Sequence, residues 1–203
     1  MTDEVCFTTD PADLWRSRPD LIVECAGPQA LASLGAAALS VADVWTVSAS
    51  ALADPRLLAD LEARAHASGH RLRVLPGAIA GLDGIAALTA GGETTLDLCI
   101  DLPPGPGTPA TLFTGSVREA AQRYPDGVNV AVAAAMAGPG LDASRIEVSN
   151  PGQVSRHALA FNASGRTGRL RMSIEPDITR GMHPVAASII AALRQATAVV
   201  WVG

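Results

Sequence analysis

The sequence predicts an α/β fold over residues 1–81 followed by an α+β domain over residues 82–203. Strand-like and helix-like stretches alternate from Asp20 to Leu75, the order that builds a parallel sheet with right-handed crossovers. Asp20–Ala26 is a nearly continuous apolar run, as expected of a strand covered on both faces. From Gly81 the rhythm changes to helices followed by strands at Arg145–Ser149, Ser155–Asn162 and Leu170–Glu175, which read as an antiparallel set.

In chain order, Val5–Thr8 reads as a short strand, and Asp10 caps a brief helix over Ala12–Arg18. The strand Asp20–Ala26 stops at Gly27-Pro28, and the Ala/Leu-rich Gln29–Ser40 reads as a helix. A second strand, Asp43–Ser48, precedes a helix over Ala53–Ser68, with Asp54 as cap and Pro55 in the first turn. Gly69 ends that helix, and Arg71–Leu75 is the third strand. Leu82–Ala90 reads as a helix closed by Gly91-Gly92, Thr94–Leu102 as an alternating strand, and the Pro- and Gly-rich Pro103–Pro109 as a loop. Ser116–Arg123 and Asn129–Ala137 read as helices, and His183–Thr197 as an amphipathic closing helix.

Composition removes several function classes. With 48% hydrophobic and 17% charged residues the chain can bury a core; with 3% aromatics that core must be mostly Ala, Leu, Val and Ile. The net charge is −5 and there is no lysine, which argues against nucleic-acid binding and removes Schiff-base and P-loop chemistry. Cys6, Cys25 and Cys99 are widely spaced and odd in number, which fits a reducing cytoplasm rather than a disulfide framework. The first residues lack the pattern of a signal peptide, and no stretch is long and apolar enough for a bilayer, so a cytoplasmic protein without membrane attachment is expected.

Familiar fingerprints fail on context. Gly105-Pro-Gly-Thr-Pro-Ala110 and Gly138-Pro-Gly-Leu-Asp-Ala143 match a dinucleotide-binding pattern by letter, but neither joins a strand to a helix. His66 and His70 are four apart but separated by Gly69, with no third ligand evident, so no metal site is expected. No serine sits in a Gly-x-Ser-x-Gly elbow.

The stretch Asn150–Arg169 carries the best candidate for chemistry. It places His157 in a predicted strand that leads to a Gly-containing turn at Ser164–Gly168. Lone strand histidines are more often surface or hydrogen-bonded core residues, so local sequence leaves both readings open.

Longer stretches sharpen the choice. Arg18-Pro-Asp-Leu-Ile-Val-Glu-Cys-Ala-Gly27, Val47-Ser-Ala-Ser-Ala-Leu-Ala-Asp54 and Pro76-Gly-Ala-Ile-Ala-Gly-Leu-Asp83 resemble segments of the L-aspartate dehydrogenase family. So do Leu112-Phe-Thr-Gly-Ser-Val-Arg-Glu-Ala-Ala121 and Pro125-Asp-Gly-Val-Asn-Val-Ala131. The resemblance implies a Rossmann-like parallel sheet followed by the family's C-terminal α+β domain. It implies an acid/base role for His157, a place near the cleft for Asn129, and a nicotinamide-side wall of Ala26, Gly27, Ser48 and Ala49. It also implies a homodimer paired through the second sheet.

The strand, glycine-rich turn and helix that open the family's Rossmann domain have no counterpart before Arg18, so the sheet reads as truncated. Ile100-Asp-Leu-Pro-Pro104 stands where the family has Thr-Arg-Lys-Pro-Pro, and His183-Pro-Val185 where it has Asn-Pro-Lys. The expectation is therefore an enzyme of this ancestry without ordinary dinucleotide binding. It would act by proton transfer from His157 on a small amine- or imine-bearing metabolite, through isomerisation, cyclisation, hydration or elimination. Arg156, Arg180 and His183 are candidates to hold that substrate. Two alternatives stand beside it: an NAD(P)-dependent L-aspartate or amino-acid dehydrogenase, and a non-catalytic binding subunit.

Overall fold

The structure is a computed structural model that describes residues 5–103, 106–152, 158–175 and 181–200. Residues 5–8, read from the sequence as a short strand, are exposed and belong to neither sheet. Asp10 caps α1 (Pro11–Arg16) by accepting from the Ala12 amide at 2.8 Å. Then follow β1 (Leu21–Glu24), α2 (Pro28–Leu39), β2 (Asp43–Thr46), a 3-10 helix (Ala49–Ala53), α3 (Pro55–Ser68) and β3 (Leu72–Val74).

The three strands lie in the order β1-β2-β3, all parallel, with Glu24 opposite Thr46 and Thr46 opposite Val74. Helices α2 and α3 cover one face of this sheet through Leu31, Leu39, Val44, Leu52 and Leu61, all buried. Gly69 ends α3 in the left-handed conformation (φ 75°), which a residue without Cβ adopts at little cost.

The second half runs α4 (Leu82–Ala90), β4 (Thr94–Asp101), β5 (Ala110–Ser116), α5 (Val117–Arg123), α6 (Asn129–Ala137), β6 (Arg145–Asn150), β7 (Leu159–Gly165), β8 (Gly168–Ile174) and α7 (Pro184–Thr197). Its sheet has the order β5-β6-β4-β7-β8. β7 pairs antiparallel with β4 and β8, and β5 antiparallel with β6, while β4 and β6 are parallel, which makes the sheet mixed. β5 was not foreseen; its Thr/Gly-rich sequence follows a Pro/Gly loop, and pairing with β6 decides its state. The predicted strand Ser155–Asn162 overlaps β7, while residues 155–157 lie outside the described residues.

Alternation along β4 sends Leu96, Leu98 and Ile100 into the core and leaves Thr95, Asp97 and Cys99 exposed. The same alternation holds in β6, where Ile146 and Val148 are buried and Arg145 and Glu147 are exposed. One face of the sheet therefore packs on helices and the other stays open.

The core beneath this sheet is built of small residues, as the scarcity of aromatics requires. Ala131, Val132, Ala134 and Ala135 of α6 pack with Ile85, Leu96, Ile146 and Phe161. Ala49 and Ala53 of the 3-10 helix and Ile79 join the same cluster, so both halves share it. Finally, α7 returns to the first sheet, where Ala192 and Ile189 meet Trp45, Leu75 and Leu21 on the face opposite α2 and α3.

Candidate functional site

The parallel strands end on one side, and a cleft of about 400 Å³ lies there. The three chain segments that leave β1, β2 and β3 form one wall: Cys25, Ala26 and Gly27; Val47 and Ser48; Leu75, Pro76, Gly77 and Ala78. Asp126, Gly127, Asn129 and Val130 at the start of α6, Leu159 of β7 and His183 before α7 form the other. A crevice outside the carboxyl ends of parallel strands is where an open α/β sheet binds ligands, because backbone groups there are free of the ladder.

The β1 wall is held by a side chain behind it. Glu24 Oε1 accepts from the amides of Ala26 (2.8 Å) and Gly27 (3.1 Å), and Oε2 accepts from the Thr46 hydroxyl. Thr46 Oγ1 in turn accepts from the Ser48 amide at 2.9 Å. Gly27 has φ 108°, a conformation closed to most side chains, and space opposite its missing Cβ is open to 4 Å. Small residues, Ala26, Gly27, Ser48, Gly77 and Ala78, thus stand in this wall beside Cys25, Val47, Leu75 and Pro76.

Asn129 is fixed from the other side. Its Oδ1 accepts from the Ser50 amide at 3.0 Å and lies 2.9 Å from the Ser50 hydroxyl, which also donates to the Pro125 carbonyl. With Oδ1 engaged, the Nδ2 amide is the group Asn129 can offer a ligand. His183 caps α7: its Nδ1 accepts from the Val185 amide at 3.2 Å, so the ring proton sits on Nε2.

The cleft therefore gathers Ala26, Gly27, Ser48, Asn129 and His183 from among the sequence candidates. Ala49 is not in its lining; the 3-10 helix turns it into the shared core, where it is 1% exposed. His157, Arg156 and Arg180 lie outside the described residues. Sequence reasoning missed Ser50, Thr46 and Glu24, whose roles depend on long-range hydrogen bonds, and Cys25 and Asp126, which lie inside motifs it had singled out.

Elsewhere, His70 Nδ1 is hydrogen-bonded to the Leu39 carbonyl at 2.8 Å, which explains that histidine as a tie between α3 and α2. Among the described residues no cluster of His, Cys, Asp and Glu could hold a metal, and no helix is long and apolar enough to cross a membrane. All three cysteines are exposed and free. The Cys99 thiol on the open sheet face is pushed up, first by partial desolvation and then by Glu147, Asp97 and Asp101.

Residues 103–196 match the family profile "Aspartate dehydrogenase, C-terminal", and residues 1–75 match "Homoserine dehydrogenase, NAD binding domain". The second match runs against the expectation that dinucleotide binding is lost. An L-aspartate dehydrogenase of Ruegeria pomeroyi is 41% identical over 88% of this chain and 72% of its own length. An L-aspartate dehydrogenase 2 of Bordetella pertussis is 36% identical over 88% of this chain and 74% of its own. The crystal structure of aspartate dehydrogenase from Thermotoga maritima shares the fold, with a TM-score of 0.77 and 22% identity over 99% of this chain and 82% of that one.

Proposed function

Because the chain belongs to the L-aspartate dehydrogenase family, we propose that it is an NAD(P)-dependent dehydrogenase acting on the amine-bearing carbon of L-aspartate or a closely similar amino acid. The observation that carries the reading is the cleft at the carboxyl ends of β1, β2 and β3, faced by the start of α6 and of α7. This is preferred to the cofactor-free proton-transfer reading because the relatives matched are named L-aspartate dehydrogenases.

The residues present fit the nicotinamide end of such a cofactor. Ala26, Gly27, Ser48, Gly77 and Ala78 make a wall of small residues against which a flat ring can lie. A nicotinamide bound there supplies the hydride acceptor for oxidation of the amino acid to its imine. Asn129 would donate from Nδ2 and His183 from Nε2 to acceptor atoms of the substrate, each held by a bond behind it. His157 is proposed as the acid/base, on the family resemblance of its segment. Arg156 and Arg180 are proposed as partners for a substrate carboxylate.

Pairing of two copies through the open face of the five-stranded sheet belongs to the same reading. That face carries both signs of charge in register, Asp97 opposite Arg145, so it can meet a copy of itself.

Calorimetric titration with NADH and NADPH tests the cofactor, and saturable micromolar binding is expected. No heat at millimolar nucleotide would sink the dehydrogenase reading. With L-aspartate and NAD+ or NADP+, His157→Ala should lower kcat by roughly 10²- to 10⁴-fold with cofactor binding retained. Full turnover by that variant would remove His157 from the chemistry.

A further inference from the structure

We propose that Glu24 is a positioning residue for the cofactor side of the cleft, holding two neighbouring segments of its wall and setting a preference for a cationic ligand ring. The inference rests on the dehydrogenase reading and goes beyond it, since Glu24 is not itself in the cleft lining.

The geometry is a relay across two strands. Glu24 is the last residue of β1 and faces Thr46, the last residue of β2, in register. One carboxylate oxygen takes the amides of Ala26 and Gly27, and the other takes the Thr46 hydroxyl. Having given its only proton to Glu24, Thr46 Oγ1 can accept from the Ser48 amide, and it does so. Ala26, Gly27 and Ser48 all line the cleft, so one side chain sets the positions of two wall segments. Thr46 is fully buried and Ser48 is 2% exposed, which shields the Thr46–Ser48 bond from competing water, while the bond from the Ala26 amide lies at the exposed rim.

All three donors to Glu24 are neutral, and among the described residues no cation pairs with it. The carboxylate therefore carries an uncompensated negative charge one residue behind the wall. A nicotinamide ring is positively charged when oxidised and neutral when reduced. A fixed negative charge behind the wall favours the oxidised form, and because Glu24 is half-buried its field is only partly screened by solvent.

The test uses Glu24→Gln, which keeps the shape but removes the charge and one acceptor, and Thr46→Val, which breaks the relay and keeps the charge. Dissociation constants for NAD+ and NADH are measured by calorimetry, with thermal melts followed by circular dichroism to show that each variant is folded. Glu24→Gln should weaken NAD+ by roughly tenfold and NADH by less, so that their ratio rises. Thr46→Val should weaken both alike, and Thr46→Ser should restore both. A Glu24→Gln protein with the wild-type ratio overturns the charge preference, and wild-type affinities in Thr46→Val overturn the relay.

If the unaltered protein binds neither nucleotide, the dehydrogenase reading fails first, and the ring preference falls with it. Hydrogen exchange at the Ala26, Gly27 and Ser48 amides then decides the holding role. Faster exchange in Glu24→Ala, which removes both acceptors, at unchanged melting supports it, and unchanged exchange overturns it.

Discussion

Single atoms do much of the joining in this protein. Ser50 belongs to the 3-10 helix after β2, yet its amide and hydroxyl reach Asn129 and Pro125, far along the chain in the second half. It is 5% exposed, so removing its hydroxyl strands acceptors that water reaches poorly. Ser50→Ala should destabilise the fold by about 1 kcal/mol. A urea midpoint equal to that of the unaltered protein would show the contact to be idle. The sequence allowed Asn129 to be placed near the cleft, because the residue stands in a family-like stretch. It could not show which of its amide atoms was already engaged, since the partner is remote in the chain. Ala49 fails for the opposite reason: it sits one residue after Ser48 in a matching segment, but the tight helix rotates it into the core.

At the scale of elements, local signals were readable wherever a helix carried its own start and stop. Asp54 with Pro55, and Gly69 at the far end, bound α3 as its sequence says. The start of α5 is a capping box: the Glu119 amide donates to Ser116 Oγ at 3.2 Å, and Glu119 Oε2 accepts from the Ser116 amide at 2.9 Å. Ser116→Ala should lower stability by about 1 kcal/mol, read as a lower melting temperature.

The hydrogen bonds from Ser116 hold the Glu119 carboxyl below its ordinary range, and Arg118 does the same for Asp142 through a bidentate pair at 2.6 and 2.9 Å. A depressed folded-state value adds stability that is complete above the ordinary carboxylate range and disappears as pH falls through the lowered one. Ser116→Ala should therefore lose less stability than the parent protein as pH falls below that range, and parallel acid unfolding curves would contradict this. Both carboxylates are exposed, so the effect is small. Strand direction had no comparable local signal. The parallel pairing of β4 with β6, and the very existence of β5, come from neighbours brought in by the fold.

For the molecule as a whole, the first sheet was legible because alternation of strand and helix leaves few topologies to consider. The shared core was not, since nothing in Ala49, Ala53 or Ile79 announces that they pack against α6 and the second sheet. The open face of that sheet, with Asp97, Cys99, Arg145 and Glu147, is the largest-scale feature with a consequence for assembly. The pairing proposed above predicts light scattering at twice the mass of one chain at micromolar concentration. A single-chain mass would exclude it.

The path of α7 bears on how the protein is made. The strands β1, β2 and β3 pair early in synthesis, yet the layer over Trp45 and Leu21 comes from a helix that leaves the ribosome after every strand described in both sheets. Until then the apolar face of Leu21, Trp45 and Leu75 lacks the helix that covers it in the folded chain. Closure of the loop between β1 and α7 is thus expected to be a late event, and it is in the interval before it that a chaperone would find its substrate.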